Sequence, residues 1–118
     1  MNPIDGNALL LAAAKASVGP QLLPDLVEHV QDDLGPRLGE YRRRYELVHE
    51  DEESCVFFVE AGHWEEVSAR LRLERRETNA VERAHTEHLR RVGSELGRRG
   101  EFETALEIRE AVVVGKED

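Results

Sequence analysis

The sequence has little of several things, and each shortage excludes something. It holds one cysteine, Cys55, so neither an internal disulfide nor a multi-cysteine zinc site can form. Cys55 sits in the apolar run Cys55-Val56-Phe57-Phe58-Val59, which predicts an inert core thiol in a reducing cytoplasm. No stretch reaches the roughly 18 apolar residues that a spanning helix needs. The apolar segment near the start has no basic residue ahead of it, which makes it a poor signal peptide. Lysine is nearly missing. Only Lys15 and Lys116 occur, against fourteen arginines.

What is abundant is acid. Twenty-five carboxylates, nineteen of them glutamate, give a formal net charge of −9 over 118 residues. Carboxylates hold hydrated cations and keep a chain soluble at high salt, while arginine pairs with them in a planar fork and lacks lysine's long apolar stem. Such a composition predicts a salt-loving archaeal origin, the plainer alternative being an acidic protein of a GC-rich bacterium. In such an environment net charge is a weak guide to partners. Acidity ordinarily argues against nucleic acid. At 1 M salt, however, the screening length is about 3 Å, and only contact-range pairs matter.

At this length one domain, 1–118, is expected, with an independent core beneath a heavily charged surface. Residues 7–17 are strong helix formers, apolar on nearly every side, which suits a core helix or an oligomer contact. Leu22, Leu23, Leu26, Val27, Val30 and Leu34 form an apolar stripe through 21–34, an amphipathic helix with Glu28, Gln31, Asp32 and Asp33 largely off the stripe. Gly35-Pro36 stops it, and a short helix through Leu38 and Tyr41 follows. The period then shortens. Residues 45–49 and 55–59 read as a hairpin around an acidic turn at 50–54, the second strand apolar on both faces. A helix opens at Trp64, with Val67, Ser68 and Leu71 on its face. A long helix follows from about Arg76 to Leu96, striped by Val81, Ala84, Leu89, Val92 and Leu96. In 101–114, Phe102, Thr104, Leu106 and Ile108 alternate with polar residues, so this stretch is expected to add a strand to the hairpin. Val112–Val114 would be that strand's end or a separate strand. A helix is the alternative, with Phe102, Ala105, Leu106 and Arg109 on one face. The fold class is α+β: mostly helical, with a small antiparallel sheet made of hairpin 45–59 and the C-terminal strand.

Four groups of residues are candidates for chemistry. His85 falls in the middle of the long helix's apolar stripe and His88 at its edge. Glu82 completes Glu-x-x-His-x-x-His, residues that are neighbours on a helix and able to converge on a metal ion. A second copy of Glu-x-x-His, as in di-iron bundles, is absent, so His63, His49 or His29 would have to complete the set. The plainer expectation is buried histidines bonded to backbone or carboxylate, and no cofactor is expected. Arg42, Arg43 and Arg44 lie between Tyr41 and Tyr45, a candidate phosphate or nucleic-acid contact, or simply a solvated helix end beside Glu40 and Glu46. Residues 64–90 loosely resemble a helix-turn-helix. Arg75, Arg76 and Asn79 are placed to read bases, although Arg72 replaces the usual turn glycine, Thr78 an expected aliphatic, and Glu74 and Glu77 would repel phosphate. Trp64, beside His63, is expected to be a core anchor.

The run YRRRYELVHEDEESCVFFVEAGHWEEV, with ERAHTEHLRRVG and EFETALEIREAVVVG after it, resembles small uncharacterised proteins of haloarchaea. The likeness covers the chain from Tyr41 onward, implies a cytoplasmic halophile protein, and brings no activity to carry over. Together these readings predict a non-enzymatic protein that works by association, as a homo-oligomer or with a protein partner, and without a membrane. DNA binding and metal binding are the alternatives.

Overall fold

A computed structural model describes residues 2–16 and 18–116. The elements run α1 (Gly6–Lys15), α2 (Leu22–Leu34), a 3-10 turn (Gly35–Arg37), α3 (Leu38–Arg44), β1 (Glu46–Glu50), β2 (Ser54–Glu60), α4 (His63–Leu71), α5 (Arg75–Leu96), α6 (Arg99–Leu106) and β3 (Arg109–Gly115). The class is α+β. Ser17, the expected last residue of the first helix, and the tail beyond Lys116 lie outside the described residues.

α1 and α5 start where side chains satisfy backbone donors. Asp5 caps α1, its carboxylate accepting the N–H groups of Asn7 and Ala8. Glu77 reaches back to the N–H of Glu74 at the start of α5, forming half of a capping box. At the other end of α5, Gly97 takes the left-handed conformation (φ 70°) and Arg98 N–H returns to the Gly93 carbonyl.

The three strands form one antiparallel sheet in the order β1-β2-β3. From Ser54 to Val59, β2 is buried on both faces, and the alternation of the strand assigns the two coverings. Phe58 meets Phe102 of α6 edge to face at 5.6 Å, while Phe57 meets Tyr41 of α3 at 5.7 Å. α5 is the central helix. It packs against α1, α6, β3, α2 and α4, and buries Val81, Ala84, His85, His88, Leu89 and Val92. Leu96, though in phase with that stripe, is exposed beyond the end of the core.

Two expectations are corrected. Residues 99–106 form a helix, not a strand, and the strand that joins the hairpin begins only at Arg109. Phe102 is buried against Phe58, Ala105 and Leu106 are half-buried beside it, and Ile108 is 74% exposed, whereas strand alternation would have put it in the core with Phe102. Good helix formers and a helical apolar face therefore outweigh a period-two coincidence. Gln31 is the second. It is buried, not off the stripe, because β3 needs its amide.

The outer rim of β3 is closed by side chains from three helices. Trp64 Nε1–H donates to the Ala111 carbonyl at 3.0 Å, and Val113 N–H donates to His85 Nδ1 at 2.8 Å. Gln31 donates to the Val113 carbonyl at 2.7 Å and accepts Gly115 N–H at 2.8 Å. The carboxamide thus stands in for one peptide group of a missing fourth strand. Buried backbone groups must find partners, and here polar side chains supply them. The other rim, on β1, is short. It carries Glu46 and Glu50 and is broken by an irregularity between Leu47 and His49.

Candidate functional site

The histidines expected as metal ligands have backbone partners. His85 is fully buried and its Nδ1 accepts from Val113, so the neutral ring carries its proton on Nε2. Its ring packs 4.6 Å from Trp64. Burial depresses its pKa to about 3. His88 accepts the Asp5 N–H at 3.0 Å, tying the start of α1 to α5, and burial lowers its pKa as well. His63 shares a 2.5 Å hydrogen bond with the Tyr41 hydroxyl. Burial lowers the His63 pKa and raises that of Tyr41. His29 is exposed on α2, and His49 lies 3.9 Å from Asp51. Among the described residues no group of three or more His, Cys, Asp or Glu side chains is disposed to hold a metal ion, so Glu82, His85 and His88 are not gathered into one.

The arginine triplet is divided. Arg42 forks onto Glu50 and brings Nη2 within 3.3 Å of Cys55 Sγ, and with Lys116 it holds the Glu50 carboxyl down at about 2. Cys55 itself is buried, as expected, and burial raises its thiol pKa. Arg44 pairs with Glu40 and lies over the Tyr45 ring. Arg43 is exposed and has no ion-pair partner among the described residues. The three guanidinium groups therefore form no single patch.

The region between α4 and α5 is more coherent. α4 ends at Arg72, which adopts the left-handed conformation (φ 57°) where a turn glycine was expected, and α5 starts three residues later. Thr78 occupies its buried position by bonding: its hydroxyl reaches the Glu74 carbonyl and lies 2.6 Å from Ser68 Oγ, joining the two helices. At the opposite end of α4, Glu110 of β3 accepts the N–H groups of Gly62 and Trp64, both at 2.9 Å, and supplies the negative charge that a helix start favours.

Between these ties lies a cleft of about 580 Å³, floored by Trp64 and Leu73 and edged by Arg72, Arg75, Asn79 and Glu82. A second cavity of about 340 Å³ continues along α5 past Arg83 and Arg90, and shares Asn79 and Glu82 with the first. Glu82 thus stands at their junction. It is half-buried, and its pKa is raised by burial and then by the nearby Glu110 carboxylate. Arg75 and Asn79 are exposed on the cleft, while Arg76 turns to Glu74. No residue of the 42–44 triplet borders this cleft. Sequence reasoning found Arg75, Asn79 and Glu82, but not Glu110 or the lining role of Arg72. Glu110 is 48 residues from Gly62 and nothing local marks it as a cap. No helix among the described residues is long and apolar enough to cross a membrane.

Residues 2–116 match the family described as Domain of unknown function (DUF8048). No curated protein and no solved structure matches the chain.

Proposed function

The chain belongs to the DUF8048 family, a membership that carries no activity, and on physical grounds we propose that it works by association, without catalysis, as a homodimer built on α1. The outer face of α1 carries the proposal. Asn7, Leu10, Leu11 and Ala14 follow one another at helical spacing on its exposed side, with Leu10 64% and Leu11 49% exposed. The whole chain is 35% charged, yet this face has no charge between Asp5 and Lys15. Water solvates such a stripe poorly, and a neutral apolar partner removes the cost.

A second copy suits it best. Antiparallel α1 helices across a two-fold axis would bring the Asp5 end of each helix to the Lys15 end of the other, with the macrodipoles opposed. Leu22, at the start of α2, adds exposed apolar surface. The test is native mass by light scattering in molar KCl, for the parent chain and for Leu10→Glu. A mass near twice 13.4 kDa that falls to the monomer value in the variant supports the proposal. A monomeric parent chain at every concentration sinks it.

A second reading is favoured by the turn at Arg72. α4 and α5 are joined by the three residues 72–74, with Arg75, Arg76 and Asn79 exposed at the start of the second helix, as DNA recognition requires. Glu74 and Glu77 oppose it electrostatically. Duplex binding that weakens steeply with salt and is lost on Arg75→Ala would favour this reading.

A further inference from the structure

The arginines of this protein are mostly spent on carboxylates: nine of the fourteen sit in ion pairs, and of the five with no ion-pair partner among the described residues, Arg72, Arg75 and Arg83 gather in one region while Arg43 and Arg99 lie outside it. Arg72 and Arg75 border the α4–α5 cleft, and Arg83 its extension. Glu82 lines the same cleft and likewise has no ion-pair or hydrogen-bond partner among the described residues. Elsewhere on this surface most arginines meet a carboxylate. Here they line adjoining cavities without pairing: Arg83, next to Glu82 in sequence, lines the extension, and Arg75 stands seven residues back along the helix, a rise of about 10 Å.

We infer that this cleft binds a small elongated zwitterion, a short peptide or ω-amino acid. Its carboxylate would lie on Arg72 and Arg75 and its ammonium on Glu82. The chemistry at each end follows from what the structure puts there. Arg72 and Arg75, just before and at the start of α5, present forked donors to a carboxylate from the cleft edge. At the other end, Glu82 faces the field of Glu110, whose own oxygens are occupied by Gly62 and Trp64 N–H groups. A bound ammonium relieves that repulsion. Between the ends, the exposed Asn79 amide offers a donor and an acceptor to a peptide bond, and Trp64 and Leu73 give the chain an apolar floor. The cavity volume is in the range that small-molecule sites occupy, about 300–1,000 Å³. Contact-range pairs of this kind survive the high salt that the composition implies.

Triglycine is the probe. Titrated into the labelled full chain, it should shift the Trp64 indole and Asn79 side-chain amide resonances. N-acetyl-triglycine, lacking the ammonium, and triglycine amide, lacking the carboxylate, should each bind about tenfold more weakly. Glu82→Gln should weaken triglycine and leave the N-acetylated probe unchanged. Arg75→Ala should do the converse, weakening triglycine and leaving the amide unchanged. Arg43→Ala, an unpaired arginine outside the cleft, should alter neither. If triglycine shifts no cleft resonance, or if both blocked probes bind as well as the parent, the inference fails. The same holds if either cleft variant weakens all probes alike. These readouts do not depend on dimer formation, so the inference and the association reading can fail separately.

Discussion

His85 on α5 and Val113 on β3 are joined by one buried hydrogen bond, 2.8 Å from Val113 N to His85 Nδ1. Nothing else among the described residues accepts that N–H, so the imidazole works as a backbone acceptor. His85→Leu fills the volume but orphans the donor, and should cost about 1–3 kcal/mol. His85→Ala adds a cavity and should cost about 3 kcal/mol or more. His85→Asn, whose Oδ1 takes roughly the place of Nδ1, should cost least. Urea midpoints of the three variants give the order, and Asn no better than Leu would mean the bond contributes little.

The buried histidines also set a direction for acid. His63, His85 and His88 are all held below the ordinary imidazole value of 6.5 by burial, His85 at about 3. Below 6.5 the unfolded chain takes up protons that the folded chain refuses. Stability is therefore intact above that pH and falls as the pH drops from it, for His85 all the way towards 3. The slope is at most about 1.4 kcal/mol per pH unit for each imidazole. Glu82 acts the other way. Its raised pKa means the folded chain binds that proton first, which adds stability as acid approaches the carboxylate range. Urea midpoints taken from neutral pH down to about pH 5 should fall, and less steeply in His85→Asn. A flat profile would mean the folded rings take up protons freely.

Two glycines should respond in opposite senses to alanine. At Gly93, a Cβ would meet Phe102 Cδ2 at 2.8 Å and the Arg99 Cα at 3.4 Å, so α6 packs against α5 only because that side chain is missing. Gly93→Ala should cost about 1–3 kcal/mol through overpacking, despite the better helix propensity. At Gly100, inside α6, a Cβ meets nothing within 4 Å, and Gly100→Ala should stabilise by about 0.4–1 kcal/mol. Thermal melts of the two variants should move apart in sign. A stabilised Gly93→Ala would show that the α5–α6 contact gives way easily.

Which of these features the sequence revealed depended on whether the cause was local. The stripe of Val81, Ala84 and Leu89 fixed the buried face of α5, and placed His85 at its centre before any contact was known. The unbroken run from Cys55 to Val59 foretold a strand covered on both sides. Phe102 to Ile108 misled because period two and period 3.6 agree over so short a stretch, and only the packing of Phe102 against Phe58 and Gly93 separates them. Gln31 and Glu110 were invisible for another reason. Each is polar, and each is buried or half-buried by a backbone group more than 40 residues away: Gly115 and Val113 for Gln31, Gly62 and Trp64 for Glu110. In the candidate cleft, Glu82, Arg75 and Asn79 stood out by spacing on one helix, but that Glu82 lines a cavity and is not gathered with His85 and His88 required the fold.

The closed rim of β3 has a consequence for how copies of this chain can meet. Joining sheets edge to edge, a route from folded protein to fibre, needs a straight row of free amide groups on both partners. On β3 that row is occupied by Trp64, His85 and Gln31, and on β1 the row is five residues long, acidic at both ends and kinked. Among the described residues the sheet therefore terminates at three strands, and neither rim offers a further strand a ready row to join.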